Sequence, residues 1–155
     1  MATAKIANLF NVAAPEQAVV ETREPGPCTP STDPHYQFNL LVLKKVMMWL
    51  SENAPVKNLF ILGDAGTGKT SLVLEVAARL GIEVWSMSCS GKTRFSDLVG
   101  TLTIDESGAT RFVDGPLAAA ARSGGVFLAN EITRMEAGEQ MRSEERRVGK
   151  ECEDL

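Results

Sequence analysis

Eight consecutive residues, Gly63 to Thr70, offer the most recognisable chemistry in this sequence. They match the pattern Gly-x-x-x-x-Gly-Lys-[Ser/Thr], whose glycines let the backbone curl until its N–H groups point inward at an anion. A helix that begins at the end of such a loop adds its positive dipole end to the same site. The pattern therefore predicts a phosphate-binding P-loop. A glycine-rich turn with an incidental lysine is the alternative.

In a loop of this kind the lysine reaches the β- and γ-phosphates of a nucleoside triphosphate, and the Ser/Thr hydroxyl takes a position on Mg²⁺. We therefore expect ATP with magnesium as the ligand, Lys69 as a catalytic residue that contacts the phosphates, and Thr70 as a metal-binding residue. The expected nucleotide-binding residues are Gly63, Asp64, Ala65, Gly66, Thr67, Gly68, Lys69, Thr70 and Ser71.

A second candidate element is the apolar run from Val126 to Ala129, which is followed by Asn130 and Glu131. In P-loop ATPases the strand beside the P-loop strand carries an aspartate for Mg²⁺, often followed by a glutamate that polarises the attacking water. Glu131 is therefore the candidate catalytic base, and Asn130 stands at the metal position. A neutral amide offers Mg²⁺ an oxygen without negative charge, which would preserve binding and weaken hydrolysis. The alternatives are a strand-end asparagine and a surface carboxylate without catalytic roles.

The elements expected around these residues alternate between strands and helices. Short apolar runs predict three buried strands, and apolar residues spaced i, i+3, i+4 predict helices. The expected strands are 58–62, 82–87 and 126–129, the expected helices are 38–50, 72–80 and 117–122, and a β-hairpin is expected near 101–113 after a helical turn at 96–100. This pattern predicts an α/β fold, the three-layer core of P-loop NTPases with a parallel sheet and flanking helices.

Composition is ordinary for a globular protein, with 44% hydrophobic and 23% charged residues among 155. The net charge of -4 argues against sequence-independent attraction to nucleic acid or to anionic membranes. No stretch approaches the ~20 apolar residues needed to cross a bilayer. Cys28, Cys89 and Cys152 lack paired metal-ligand spacing, which favours reduced thiols in a cytoplasmic protein.

Three segments are expected along the chain. Four prolines between residues 25 and 34 predict that residues 1–34 are a flexible arm or linker. Residues 35–141 are expected to form a partial nucleotide-binding domain. Residues 142–155 are mostly charged and are expected to form a solvated tail.

The stretch from about Asp33 to Arg134 resembles the MoxR-like and cobaltochelatase small-subunit-like branch of the AAA+ ATPases, which is related to dynein-type AAA modules. Besides the P-loop, the likeness rests on residues 33–38, 96–100, 112–117 and 124–134. The last of these matches the family's Gly-Gly-strand-Asp-Glu-Ile-Asn-Arg pattern, except that Asn130 replaces the aspartate and Thr133 replaces the asparagine.

The resemblance implies assembly into a homo-oligomeric ring, usually a hexamer in this family, in which ATP turnover remodels a protein client or helps to insert a metal cofactor. It also implies a partner that carries a von Willebrand A domain. In such proteins the segment that corresponds to residues 33–38 helps to enclose the nucleotide base. The hairpin at 104–111 would face the pore or the client, and a simple solvated hairpin is the alternative.

A complete member of this family continues beyond the acidic strand with a sensor strand, an arginine finger and a helical lid. We therefore expect the domain to be C-terminally truncated and the 155-residue chain to bind nucleotide weakly, with little ATPase activity. Residues 142–152 resemble a peptide that arises when sequencing-adapter DNA is translated. This resemblance implies that the tail is not native and that Arg146 and Arg147 are not an arginine finger.

Two further functions remain as hypotheses. A non-hydrolysing, nucleotide-dependent assembly module is suggested by Asn130. A phosphotransferase of the small kinase type also begins with a P-loop, but those enzymes need an arginine-rich substrate lid, and no such stretch precedes Glu131.

Overall fold

A computed structural model describes residues 2–51, 54, 58–106 and 108–140. The chain forms two compact units, a first unit that ends at Val84 and a second unit that begins at Trp85. In chain order the elements are β1 (Ala2–Lys5), α1 (Ile6–Phe10), β2 (Val19–Thr22), α2 (Leu40–Leu50), α3 (Lys69–Leu80), β3 (Val84–Ser88), α4 (Phe95–Val99), β4 (Gly100–Ile104), β5 (Thr110–Asp114), α5 (Pro116–Ser123), β6 (Val126–Asn130) and a 3₁₀ turn (Ile132–Arg134).

The core of the first unit lies between α2, α3 and the N-terminal elements. Helix α2 begins where the Asn39 side chain accepts hydrogen bonds from the amides of Leu41 and Val42, at 3.0 and 3.4 Å. Helix α3 ends at Gly81, which is left-handed (φ 69°) and donates to the carbonyls of Ala77 and Ala78, as expected of a glycine cap. The buried side chains of this core are Phe10, Leu43, Val46, Leu72, Val76 and Leu80.

Residues 2–22 contain regular structure and do not form the expected unpacked arm. Strand β1 pairs antiparallel with β2, from Ala2 opposite Thr22 to Lys5 opposite Val19. Phe10, at the end of α1, is only 1% exposed and packs in the core of the first unit. The flexible arm was predicted from the prolines at residues 25–34. Residues 2–22 are instead stabilised by the burial of apolar side chains. Residues 23–39 form neither helix nor strand, in agreement with their proline content.

The segment 58–62 is a correction to the expected fold, because it forms no strand in the described part of the chain. Three of its four apolar side chains are exposed, Leu59 at 37%, Phe60 at 62% and Leu62 at 80%, and Ile61 is half-buried. A strand exists through hydrogen bonds to a neighbouring strand, and none of the described strands pairs with these residues. The expected buried strand at 58–62 is therefore wrong for the described structure, because an apolar run favours burial but does not specify the strand that would pair with it.

In the second unit, β3 and β6 lie side by side in a parallel sheet, and α5 packs against β6. The amide of Cys89, which follows β3, donates at 2.8 Å to the carbonyl of Asn130, the last residue of β6. The expected α/β class, a parallel sheet with flanking helices, is confirmed. Strand β6 is half-buried along its whole length, whereas the sequence predicted full burial.

Cys89, Leu98 and Met135 form the buried core of the second unit. Burial raises the pKa of the Cys89 thiol, which keeps this group protonated and unreactive. Cys28, in the first unit, is an exposed free thiol. Cys152 lies outside the described residues.

The expected hairpin is confirmed as β4 and β5, which pair antiparallel from Gly100 opposite Asp114 to Ile104 opposite Thr110. The turn is closed by the Asp105 amide, which donates to the carbonyl of Ala109 at 3.0 Å. Leu102 and Ile104 are 70% and 76% exposed, so the hairpin contributes little to the core.

The charged tail predicted at residues 142–155 lies outside the described part of the chain. Among the described helices, none has the length and apolar character that a membrane crossing requires.

Candidate phosphate-binding site

The backbone of the P-loop takes the positive φ angles that its glycines permit. The φ angle is 156° at Gly63 and 78° at both Gly66 and Gly68. A Cβ atom at Gly63 would lie 3.3 Å from the Thr67 hydroxyl oxygen, whereas one at Gly66 or Gly68 would meet nothing within 4 Å. The loop therefore requires glycine for its curvature at all three positions, and the space beside the last two is open.

Helix α3 begins at Lys69, directly after this loop. Its first turn contains no acidic residue, so no carboxylate of that turn competes for the amides at the N-terminus. Those amides and the positive end of the helix dipole favour an anion at this end of α3. Thr70 lies in the same first turn, where its hydroxyl is expected to take part in metal binding.

Lys69 folds back over the loop. Its Nζ atom donates to the carbonyls of Gly63 and Asp64, at 2.8 and 2.5 Å, and lies 3.4 Å from the hydroxyl oxygen of Thr67. The Thr67 hydroxyl in turn donates to the Asp64 carbonyl at 2.9 Å. No carboxylate among the described residues pairs with Lys69, so its positive charge is available to an anion.

These features fit the phosphates of a nucleotide. An open concave backbone, an unneutralised ammonium and a helix N-terminus converge within eight residues. Gly66, Gly68 and Lys69 would hold the phosphate oxygens, and Thr70 would hold the magnesium ion that accompanies them.

Glu131, the candidate base, follows β6 in a left-handed conformation (φ 56°, ψ 36°). This conformation costs a non-glycine residue about 1–3 kcal/mol, and residues held in such conformations cluster at functional sites. The Oε2 atom of Glu131 pairs with Nη1 of Arg134 at 3.0 Å, and the side chains are 53% and 67% exposed. An ion pair this exposed stabilises the fold by about 1 kcal/mol at most, so it restrains the carboxylate only weakly.

The structure places the predicted site residues in both units. The P-loop and Thr70 belong to the first unit, and Asn130 and Glu131 belong to the second. A metal site shared by Thr70 and Asn130 therefore stays a prediction, as does the catalytic role of Glu131.

Three charged residues that the sequence analysis did not single out take part in specific contacts. Arg134 pairs with Glu131, while Glu75 and Arg79 form a buried ion pair on α3. A signal for the latter pair exists in the sequence. Glu75 interrupts an apolar helical stripe, and an arginine follows it four residues later, which is the spacing of an intrahelical ion pair.

A shallow cleft in the second unit has a volume of about 570 Å³ and shares no residue with the P-loop. Its charged lining residues are Lys92, Arg94, Glu136 and Glu139. Because both signs of charge are present, the lining favours neither an anion nor a cation.

Comparison with known proteins identifies related sequences. The family described as "AAA domain (dynein-related subfamily)" matches residues 58–142. Protein NorQ of Paracoccus denitrificans is 36% identical over 70 residues, which cover 45% of this chain and 26% of that protein. The denitrification regulatory protein NirQ of Stutzerimonas stutzeri is 38% identical over 72 residues, or 46% of this chain and 26% of that protein.

Midasin of Giardia intestinalis is 29% identical over 132 residues, which cover 77% of this chain and 3% of that protein. The chain thus spans about a quarter of the length of NorQ and NirQ, and a far smaller part of midasin.

Proposed function

Because this chain belongs to the dynein-related subfamily of AAA domains, we propose that it is the nucleotide-binding part of a MoxR-like AAA+ ATPase and that its P-loop binds ATP with magnesium. The observation that carries this proposal is Lys69, whose unneutralised ammonium lies over a glycine loop at the N-terminus of α3. Each of these features favours phosphate, and together they form a triphosphate site.

Different residues of the P-loop bind different parts of MgATP. The amides of Gly66 and Gly68 would donate to phosphate oxygens. Lys69 exchanges its hydrogen bonds to the loop carbonyls for hydrogen bonds to phosphate. These are stronger, because both partners are charged. Thr70 would hold the magnesium ion through its hydroxyl. Bound MgATP supplies the phosphoanhydride bond whose hydrolysis powers the complete protein.

Glu131 takes the role of general base in the complete protein, accepting a proton from the water that attacks the terminal phosphate. Its conformation after β6 supports this role, since the strained backbone turns the residue out of the line of the strand. Asn130 would contribute its amide oxygen to a magnesium ion at this position. Its neutral side chain gives the metal less electrostatic stabilisation than an aspartate would.

For the complete protein we further propose a homo-oligomeric ring that acts on a protein client, with remodelling or metal-cofactor insertion as its outcome. This proposal is supported by the fact that AAA+ proteins generally assemble into oligomeric rings. A von Willebrand A domain protein is the partner that the resemblance implies, and the cytoplasm is the expected location. This chain aligns with only about a quarter of the length of NorQ and of NirQ, so these proposals concern the complete protein.

The binding proposal is tested by titrating the 155-residue chain with a fluorescent ATP analogue in the presence of magnesium. We expect saturable binding that is displaced by ATP and by inorganic tripolyphosphate, since the loop contacts phosphates. An affinity weaker than about 10 µM, or about −7 kcal/mol, would fit a single domain without a neighbouring subunit. Absence of any competition by tripolyphosphate would contradict a phosphate-directed site.

A non-hydrolysing assembly module remains the alternative function, and Asn130 is the observation that favours it. Asn130→Asp restores the charged metal position, so turnover by the full-length protein should rise about tenfold if the amide limits catalysis. Phosphate release is the measurement. Asn39→Asp is a matched control, because aspartate caps α2 as well as asparagine does and should leave turnover unchanged. Robust wild-type turnover without a gain in the variant would exclude the non-hydrolysing module.

A further inference from the structure

One face of the β4–β5 hairpin is apolar and exposed. Side chains alternate between the two faces of a strand, and residues directly opposite each other in an antiparallel pair share a face. Leu102 is opposite Phe112 and two residues from Ile104, so these three side chains form one surface, the apolar hairpin face. They are 70%, 46% and 76% exposed, respectively. Clustered exposed apolar side chains indicate an interaction site, whereas single scattered ones do not.

The turn at the end of this face carries negative charge. Asp105 and Glu106 lie between the two strands, and the Asp105 carboxylate accepts from the Ala109 amide at 3.1 Å within the turn. Glu106 is exposed and forms no ion pair with another described residue. Arg111, the only basic residue between 100 and 114, is opposite Thr103 and therefore lies on the other face. The apolar hairpin face thus ends beside an exposed carboxylate.

Helix α2 combines exposed apolar side chains with the opposite charge. Leu41, Lys45 and Met48 follow the spacing i, i+4, i+7 and so lie along one side of the helix, away from the buried Leu43 and Val46. Leu41 and Met48 are 74% and 64% exposed. Both charged residues of α2 are lysines, and in the part of the chain that the structure describes neither forms an ion pair. This side of the helix, the α2 stripe, is apolar with a positive charge between its two apolar side chains.

The two surfaces match in extent and in charge. Leu102 and Ile104 are about 7 Å apart along their strand, and Leu41 and Met48 are about 10 Å apart along the helix. The carboxylate at the end of the apolar hairpin face and the ammonium of the α2 stripe have opposite signs. Contact between the two surfaces would bury apolar area on both and bring these charges together, which favours the encounter and fixes its register.

Charge also decides which surfaces of two copies can meet. Two hairpin faces brought together would oppose their carboxylates, and two α2 stripes would oppose their lysines, so like surfaces repel. The hairpin belongs to the second unit and α2 to the first. A contact that joins unlike surfaces leaves one of each kind free on every pair, so it repeats from copy to copy in a ring or a filament.

We propose that the apolar hairpin face of one copy of this chain docks on the α2 stripe of a second copy, with Glu106 beside Lys45. A second copy is the occupant that the charges favour, because one chain carries both complementary surfaces. The inference rests on the proposed homo-oligomeric assembly for its setting and gives that assembly a specific contact. It requires no bound nucleotide, since neither surface includes the P-loop.

Sedimentation equilibrium of the 155-residue chain tests the contact through a charge exchange. An interface smaller than about 1,200 Å² is weak, so the protein is studied from about 10 to 500 µM. Lys45→Glu and Glu106→Lys each place like charges together and should weaken association about tenfold. In an equimolar mixture of the two variants, both possible contacts between unlike chains join opposite charges again. Association of the mixture should return to within about threefold of the wild type.

The apolar part of the contact is tested separately. Leu41→Ser and Ile104→Ser each remove an exposed apolar side chain from one surface, and each should weaken association about tenfold, or about 1.4 kcal/mol. Because both side chains are exposed, the variants should fold, and circular dichroism checks this. Raising the salt concentration should weaken the wild type and leave little further effect of the charge variants, since salt screens exposed charges.

Matched controls separate a specific contact from general charge attraction. Lys92→Glu and Glu24→Lys make the same charge changes at exposed positions outside both surfaces, and neither should alter association. Equal losses in these controls, or a mixture of Lys45→Glu and Glu106→Lys that fails to recover, would overturn the inference. A wild-type chain that binds ATP and stays monomeric would overturn the inference alone. Association with the expected variant pattern in a chain that binds no ATP would support the contact and contradict the proposed nucleotide site.

Discussion

Lys69→Ala is expected to weaken ATP binding by at least about 100-fold. Each hydrogen bond to a charged group contributes about 1.5–3 kcal/mol, and an ammonium can donate two of them to phosphate. The variant removes the one unneutralised charge that the described P-loop presents to an anion. Displacement of a fluorescent ATP analogue, with and without magnesium, measures the change.

Lys44→Ala is the matched control for this experiment. Lys44 is an exposed lysine on α2, so its removal lowers the net charge of the first unit by the same amount. Its ATP affinity should stay within about twofold of the wild-type value, because exposed charges at a distance are screened by salt. Tight ATP binding by Lys69→Ala would show that the P-loop is not the phosphate site. An equal loss in both variants would point to non-specific charge attraction.

Lys69 also holds the loop together. Its bonds to the Gly63 and Asp64 carbonyls tie the beginning of the loop to the first turn of α3. Alanine removes these bonds as well as those to phosphate. Because the loop is exposed and its neighbouring carbonyls can turn to water, we expect the loss of fold stability to be about 1 kcal/mol.

The P-loop was predictable because its conformation follows from local sequence. Positive φ angles at Gly63, Gly66 and Gly68 are what glycines in this pattern permit, and a helix follows at Lys69. The caps at Gly81 and Gly124 and the proline that opens α5 were predictable for the same reason. Each depends on the dihedral preferences of one or two residues.

Features that depend on distant partners were harder to predict. An apolar run such as 58–62 indicates that burial would be favourable. It does not indicate which strand would form hydrogen bonds with it. At residues 2–22 the sequence predicted a flexible arm and the structure shows regular elements. Phe10 is buried there by residues of α2 and α3, which lie far along the chain. The backbone attachment of Asp33 to Glu75 spans 42 positions and leaves no local signature. Pairing and anchoring are tertiary properties, which no local pattern encodes.

The acidic strand end falls between these two cases. The sequence predicted a strand over 126–129 followed by Asn130 and Glu131, and β6 extends one residue further, to Asn130. The left-handed backbone of Glu131 and its pairing with Arg134 were not predicted, since glutamate has no preference for that conformation. A non-glycine residue with such a φ angle is maintained by its surroundings. The 3₁₀ turn that follows supplies them, with the Arg134 amide donating to the Glu131 carbonyl at 2.9 Å.

Glu131→Gln is expected to lower ATP hydrolysis by the full-length protein about 1,000-fold while ATP affinity stays within about twofold. General-base catalysis contributes about 100-fold to 10,000-fold, and an amide cannot accept the proton from the attacking water. Glutamine keeps the length and shape of the side chain and loses only its exposed ion pair with Arg134, so the fold should be stable. Single-turnover phosphate release and fluorescent-nucleotide binding measure the two quantities separately.

Glu136→Gln provides the matched control, since Glu136 is an exposed glutamate that follows the same 3₁₀ turn. Its hydrolysis rate should match the wild type. A fall in affinity that parallels the fall in rate would mean that Glu131 contributes to binding and that another group activates the water. Retained hydrolysis in Glu131→Gln would leave the strained residue after β6 with a structural role. Loss of hydrolysis with ATP still bound would separate catalysis at the end of β6 from binding at the P-loop. Together with loss of binding in Lys69→Ala, this result would assign binding to the first unit and catalysis to the second.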